Sequence, residues 1–123
     1  MAITLNTTLR NARSTAIVTE AGATAKLTVY TAAYAAVLYT STCAATLGTV
    51  SGGVLTLNAV GNATATGAGT AAIARLFKTD GTTMVIEGLT VGTSGTNIVI
   101  TNTTIAVNDV VTTSAGTISE GNP

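Results

Sequence analysis

The chain has 123 residues, the length of one domain, and only 8% of them are charged, against about 25% in an ordinary soluble domain. The net charge is zero and histidine is absent, which argues against a nucleic-acid-binding surface and against histidine-dependent catalysis. No apolar run approaches the ~20 residues of a membrane helix. We therefore expect a single domain, 1–123, that binds neither nucleic acid nor a membrane.

The first segment has the spacing of an amphipathic helix. Four apolar residues recur at positions that share one helix face, namely Leu5, Leu9, Ala12 and Ala16. Asn6, Thr7 and Thr8 are all suitable N-terminal caps, and Gly22 is a suitable C-terminal stop. The pattern predicts a short α-helix at about residues 7–20, within a helical segment 1–22, whose apolar face packs on the rest of the chain or on a neighbouring subunit.

After Gly22 the pattern becomes a two-residue alternation rich in β-branched residues. Strands are predicted at 26–30, 37–43, 54–60, 70–78, 82–90, 97–102, 105–107 and 110–119, with 61–69 as a loop of small residues. Turns that recur at this spacing are typical of an antiparallel sandwich or barrel. The predicted fold is mainly β: an antiparallel β-sandwich or jelly-roll-like barrel of about eight short strands, occupying 23–123, with one short N-terminal α-helix.

Asp80 and Gly81 form the strongest hairpin signal, because Asp-Gly favours the positive φ angles of a two-residue turn. Such a turn would pair Arg75 with Ile86. Arg75 and Glu87 would then lie on opposite faces of the hairpin. An ion pair between them would require a shifted register or a bulge.

Residues that carry chemistry are few. Without histidine, Ser-His and Cys-His nucleophile pairs are impossible, and the one cysteine, Cys43, cannot build an ordinary zinc site. Cys43 also excludes an intrachain disulfide, and it is interpreted as a small apolar strand residue. The five carboxylates are interpreted as solvated or turn-forming groups and not as a catalytic pair. We expect no enzymatic activity, no cofactor and no metal.

The distribution of charge indicates a protein that belongs to an assembly. No formal charge occurs over the 48 residues from Leu27 to Ala74, or over the 21 residues from Gly88 to Asn108. Solitary domains scatter charge over their surface to remain soluble. A chain with 28 threonines and 21 alanines is better suited to a surface that neighbours cover.

Three tyrosines, Tyr30, Tyr34 and Tyr39, lie within ten residues. Rows of tyrosines can bind sugar rings, but packing at a rim or interface is the favoured interpretation. Together with the helix, they complete the set of predicted partner-binding residues: Leu5, Leu9, Arg10, Arg13, Tyr30, Tyr34 and Tyr39.

Several motifs resemble a family of small tailed-bacteriophage virion proteins. The segment from Leu5 to Ala12 has the form Leu-x-x-x-Leu-Arg-Asn-Ala, and Lys26 to Thr31 has the form Lys-Leu-x-x-Tyr-Thr. Further similarity lies in 69–75, 80–83, Gly88, 91–95 and 102–105. Members of this family are described as phage structural proteins or head decoration proteins. This chain is richer in threonine and poorer in aspartate than those members, so their acidic surface features are not carried over.

The resemblance implies a virion protein, most directly a capsid decoration or cement protein. Its expected partners are the major capsid protein and copies of itself, in a homo-oligomer such as a trimer. A tail, fibre or adhesin module that binds host glycans through the tyrosines is the alternative. The first residues lack the basic start and apolar run of a signal peptide. We therefore expect assembly in the host bacterial cytoplasm and a final location on the capsid surface.

Overall fold

The computed structural model describes residues 6–119 and is mainly β. One helix, α1 (Thr7–Ala21), precedes the strands. These are β1 (Lys26–Tyr30), β2 (Val37–Thr42), β3 (Gly48–Ser51), β4 (Val54–Leu57), β5 (Ala63–Thr64), β6 (Gly69–Thr70), β7 (Ile73–Phe77), β8 (Met84–Gly92), β9 (Ile98–Ile100), β10 (Thr104–Ile105), β11 (Val110–Val111) and β12 (Thr113–Ser119). The prediction of a mainly β fold with one short helix is confirmed.

Eight strands form one curled sheet, which makes half of a barrel, in the order β2-β1-β7-β8-β9-β12-β4-β3. Two small ribbons, β10–β6 and β11–β5, complete the pairing within residues 6–119. All of these pairs are antiparallel except β8–β9, which is parallel. Asn97, just before β9, is joined to β8, because its Oδ1 accepts from both the N–H and the hydroxyl of Thr90.

The ends of α1 follow the predicted capping chemistry. Asn6 Oδ1 accepts the N–H of Leu9 at 2.8 Å, which satisfies a backbone donor that the first helical turn leaves open. Gly22 adopts φ 70° and donates its N–H to the Val18 carbonyl at 3.1 Å. The predicted limits of the helix are therefore confirmed.

The face by which α1 packs on its own body differs from the predicted one. Ser14 and Ala21 are buried, whereas Leu9 is 46% exposed. Ala12 and Ala16 are exposed as well, and Leu5 lies outside the described residues. Two contacts set this rotation: Asn11 Oδ1 accepts the Gly53 N–H at 2.7 Å, and Ile17 and Val18 pack against the core. The expectation that the leucine and alanine stripe covers the β body is therefore wrong, and its contact with a neighbouring subunit stays a prediction.

Ser14 is the basis of a stability prediction, because its side chain is fully buried and its Oγ has no hydrogen-bond partner within residues 6–119. Ser14→Ala removes this unsatisfied group and raises helix propensity. We expect the free energy of unfolding to rise by about 1–2 kcal/mol in urea denaturation. Thr15→Ala, at the exposed neighbour, tests propensity alone. If the free energy of unfolding rises equally in both variants, burial of the Ser14 hydroxyl does not destabilise the folded chain.

The core lies on the inner face of the curled sheet. Its fully buried side chains include Leu27, Val29, Leu38, Tyr39, Leu47, Leu55, Leu76, Ile98 and Ile100. The alternation in β1 and β7 sends Leu27 and Leu76, which are paired, inward and sends Lys26 and Phe77 outward. α1 packs beside this core, against β3, β4 and β8.

Some predicted strand limits are wrong. The short strand β3 was not predicted, since its sequence, GTVS, offers a single large apolar residue. The segment 61–69, predicted as a loop, contributes β5 and the first residue of β6. The predicted strand 70–78 is divided between β6 and β7. β5 and β6 are held by pairing with β11 and β10, which are distant in the sequence, and a local pattern cannot show such pairing.

The hairpin between β7 and β8 has a longer turn than the predicted two-residue one. Lys78 donates its N–H to the Thr83 carbonyl, and Gly81 donates to the Lys78 carbonyl, both at 2.9 Å. Asp80 holds the tip, because its Oδ1 accepts the N–H groups of Thr82 and Thr83 at 2.8 Å. The hairpin is confirmed, but its turn type is corrected.

Asp80 is expected to titrate far below an ordinary aspartate, for which the pKa is about 3.9. The Thr83 hydroxyl, followed by the backbone N–H groups of Thr83 and Thr82, stabilises the carboxylate and lowers its pKa to about 2. The stabilisation of the tip is therefore complete above about pH 4 and is lost as the pH falls through about 2. A titration followed by the carboxyl ¹³C shift checks this, and Thr83→Val should raise the midpoint. A wild-type midpoint near 4 would contradict it.

Candidate functional site

A bulge in β8 brings the two charged residues of this hairpin together. Ala74 pairs with Leu89 but Leu76 pairs with Ile86, so β8 holds one more residue than β7 at this point. The Arg75 Nε atom lies 3.2 Å from Glu87 Oε2. The predicted register, with the two side chains on opposite faces, is therefore wrong, and the bulge condition stated for an ion pair is met. Gly88, with φ 79°, supplies the left-handed backbone at the bulge.

Tyr34 completes this group from the opposite side. It lies in the short 3-10 turn Ala32–Tyr34, between β1 and β2, where both Ala33 and Tyr34 have φ 57°. Its hydroxyl oxygen accepts the Gly88 N–H at 2.8 Å. The turn and the bulge are therefore tied to each other by one hydrogen bond.

The Arg75 guanidinium lies over the Tyr34 ring, with Cζ 3.8 Å from the ring centroid. The Tyr30 ring is 5.3 Å from the same carbon, and the two tyrosine rings meet edge to face at 5.2 Å. We name the five residues Tyr30, Tyr34, Arg75, Glu87 and Gly88 the Arg75 cluster. Its stacking and its ion pair orient a guanidinium at the surface.

The cluster is accessible but contains no catalytic arrangement. The side chains of Arg75 and Glu87 are 31% and 50% exposed. It presents a permanent cation, a carboxylate already bound to that cation, and two tyrosines, one of whose hydroxyls accepts the Gly88 N–H. Such a group can bind a partner through charge and stacking.

The three tyrosines do not form one exposed row. Tyr39 is 1% exposed, inside the core, and Tyr30 is 8% exposed, so only Tyr34 has substantial access to solvent. The cause is a bulge in β2, which sends two consecutive residues, Leu38 and Tyr39, inward. The prediction that Tyr39 contacts a partner is therefore wrong.

Burial also changes the ionisation of Tyr39. It raises the pKa of the hydroxyl to about 12, and the nearby Thr113 hydroxyl only partly offsets this rise. The two oxygens nevertheless make no hydrogen bond of good geometry. Tyr39 therefore belongs to the core and stays neutral at ordinary pH.

The predicted helix residues occupy different environments. Leu9 is exposed and Arg13 is exposed, whereas Arg10 is half-buried beside Gly53. Leu5 lies outside the described residues. The predicted partner-binding residues of the helix and the tyrosines therefore lie on two separate surfaces and do not form one site.

A second surface was missed by sequence reasoning. In the adjacent strands β12, β4 and β3, Thr117 pairs with Thr56, which in turn pairs with Thr49, and all three are exposed. Ser51 and Ser119 are exposed on the same face, since they are two residues away along the strands. These five residues form what we name the hydroxyl face. The sequence shows a hydroxyl residue at every second position of β3 and at the end of β12. It does not show that these strands pair with β4, which is what brings the hydroxyl groups together.

Cys43 has the properties of a core residue and not of a nucleophile. It is 4% exposed, and burial raises the pKa of its thiol to about 11, against a smaller opposing effect of Lys26. The thiolate is therefore scarce at neutral pH.

Neither a metal-binding group nor a membrane-spanning helix is found within residues 6–119. No group of three or more His, Cys, Asp or Glu side chains in that range could hold a metal ion. α1, the one helix there that exceeds a single turn, is too short and too polar to cross a membrane. Two shallow hollows, beside 57–60 and beside 101–105, enclose about 130 and 160 Å³. Ligand pockets usually have about 300–1,000 Å³.

The described surface thus offers the Arg75 cluster and the hydroxyl face. Comparisons with protein-family models, with curated proteins and with solved structures find no match to this chain.

Proposed function

We propose that this chain is a non-enzymatic virion structural protein, a decoration or cement protein that stabilises a tailed-phage head. It binds the major capsid protein and copies of itself. The observation that carries this proposal is the hydroxyl face, which spans three adjacent strands, β12, β4 and β3, without one charged side chain among their described residues.

The physical chemistry of such a face favours burial. Removing a charge from water costs several kcal/mol unless it is paired, whereas a hydroxyl can exchange a water for an acceptor across the interface. Thr49, Thr56 and Thr117 present their hydroxyls in one row across the strands. A neighbouring subunit can therefore cover this face at a small desolvation cost.

Exposed apolar side chains supply anchors for the same purpose. The large exposed ones are Leu9, Val37, Met84, Val107 and Val110, with exposures from 46% to 66%. Leu9 belongs to the helix stripe that faces away from its own body. In a symmetric shell each such contact is repeated many times, so that individually weak contacts suffice.

The test compares wild-type particles with particles that lack this protein. We expect the depleted particles to rupture at a lower temperature and to lose genome at low salt, and addition of purified protein should restore both. Densitometry of intact virions should show a high copy number. If the depleted particles are as stable as wild type but fail to adsorb to host cells, and if the copy number in wild-type virions is low, this proposal is wrong. The glycan-binding adhesin would then be the better interpretation.

A matched pair of variants tests the hydroxyl face itself. Thr56→Lys places a charge in the middle of the face and should abolish the rescue of depleted particles. Thr93→Lys places the same charge in the exposed loop between β8 and β9 and should rescue fully. Equal rescue by the two variants would remove the hydroxyl face from the interface.

A further inference from the structure

We propose that the Arg75 cluster is an anchor for a carboxylate side chain of a partner subunit. This inference rests on the proposed function and specifies one contact of the assembly: an acidic residue of the neighbouring capsid protein binds the Arg75 guanidinium. The hydroxyl face and the Arg75 cluster would then act as two separate parts of the contact surface.

The guanidinium is preorganised for such a contact. Its Cζ lies 3.8 Å from the Tyr34 ring centroid, and its Nε–H donates to Glu87 Oε2 at 3.2 Å. The Tyr30 ring lies beside the guanidinium as well, with its centroid 5.3 Å from Cζ. Among residues 6–119, the hydrogen bond to Glu87 occupies the Nε–H group and leaves most of the five N–H groups for further acceptors. The side chain is 31% exposed. An arginine that is already fixed loses little conformational freedom when it forms a bidentate pair with a carboxylate.

The backbone around the cluster is held in an unfavourable conformation. Ala33 and Tyr34 both adopt φ 57°, although neither is glycine, and two consecutive left-handed residues are costly. The turn places the Tyr34 ring under the guanidinium, and the Gly88 bulge brings Glu87 beside it. Strained turns and bulges are frequent where a side chain must be aimed.

The charges on this part of the sheet favour an anionic partner. Strands β1, β2, β7 and β8 together contain three charged residues, Lys26, Arg75 and Glu87. Lys26 lies on the same outer face as Arg75, because Thr28, two residues along β1, pairs with Arg75. Two cations and one anion leave this face with a net positive charge. A neutral sugar is disfavoured, because stacking on Tyr34 would compete with the guanidinium that covers its ring.

A direct test uses an end-capped hexaglutamate peptide and ¹⁵N-labelled protein. We expect the Gly88 amide and the Arg75 Nε–H to shift in a saturable manner at low salt, because both belong to the cluster. Maltohexaose should leave them unchanged. A saturable shift with maltohexaose alone, or peptide-induced shifts centred elsewhere, would overturn the proposal.

A second test uses depleted particles and separates this inference from the proposed function. Wild-type protein should bind them, Arg75→Ala should bind at least about tenfold more weakly, and Arg75→Lys should recover little because it lacks the planar fork. The matched control is Lys78→Gln, which removes one positive charge at the exposed Glu20 pair.

The outcomes of the particle experiment are distinct. If wild-type protein fails to bind, the proposed function is wrong. If wild-type protein binds and a folded Arg75→Ala variant binds equally well, only the carboxylate anchor is wrong. The same conclusion follows if Lys78→Gln lowers the affinity as much as Arg75→Ala does. Circular dichroism and melting temperature establish that each variant is folded.

Discussion

Leu27→Ala is expected to lower the free energy of unfolding by about 2–5 kcal/mol, the range for truncating a fully buried leucine. Leu27 has no exposed surface and lies in β1 between β2 and β7, where it pairs with Ser41 and Leu76. The loss combines the transfer energy of the removed methyl groups with the cavity that they leave. Urea denaturation monitored by circular dichroism measures it.

Leu9→Ala is the matched control for this substitution. The same atoms are removed from a side chain that is 46% exposed on α1, and leucine and alanine both favour the helix. The isolated chain should therefore lose less than about 0.5 kcal/mol. A loss at Leu9 as large as that at Leu27 would mean that the helix packs on its own body by the face that the sequence pattern indicates.

Gly48→Ala is expected to destabilise the chain by about 2–3 kcal/mol, through overpacking. A Cβ at this position would overlap the backbone carbonyl oxygen of Thr56, and it would also approach the Leu55 side chain. A backbone oxygen cannot move aside as a side chain can, so β3 must separate from β4. The measurement is urea denaturation together with hydrogen exchange at the Asn58 amide, which donates to the Leu47 carbonyl.

Gly52→Ala, in the same hairpin, serves as its control. Gly52 has φ 59° and open space around its Cα, so alanine there meets left-handed strain and no clash. We expect a loss of about 1 kcal/mol and an unchanged exchange rate at Asn58. If Gly48→Ala leaves both stability and exchange unaltered, β3 does not approach β4 as closely as the structure indicates.

The elements that the sequence predicted well have short-range causes. The helix begins at an asparagine cap and ends at a left-handed glycine, and both signals lie within the helix and its flanks. Strand β1 was predicted with its observed limits, since alternation and β-branched residues coincide there. The face by which the helix packs was predicted wrongly. That face depends on the hydrogen bond from the Gly53 N–H to Asn11, and these two residues are 42 positions apart in the sequence.

The Arg75 cluster shows why sites of this kind escape local patterns. From the sequence, the ion pair between Arg75 and Glu87 could be predicted only on the condition that β8 contains a bulge. Whether β8 carries this extra residue is visible only in the structure. Tyr34 could be singled out, but its contact with Gly88 joins residues 54 positions apart. The prediction for Tyr39 was wrong for a related reason. A bulge in β2 interrupts the alternation by which successive strand residues point to opposite faces, so Tyr39 points into the core.

The strand order has a consequence for synthesis on the ribosome. β3 and β4 join the rest of the large sheet only through β12, the most C-terminal of the described strands. Until residues 113–119 leave the exit tunnel, the nascent β3–β4 hairpin has an unpaired edge at β4, in addition to the outer edge of β3, and this extra edge can pair with another chain. Completion of the sheet therefore waits for β12, and crowded expression should favour aggregation more before that step than after it.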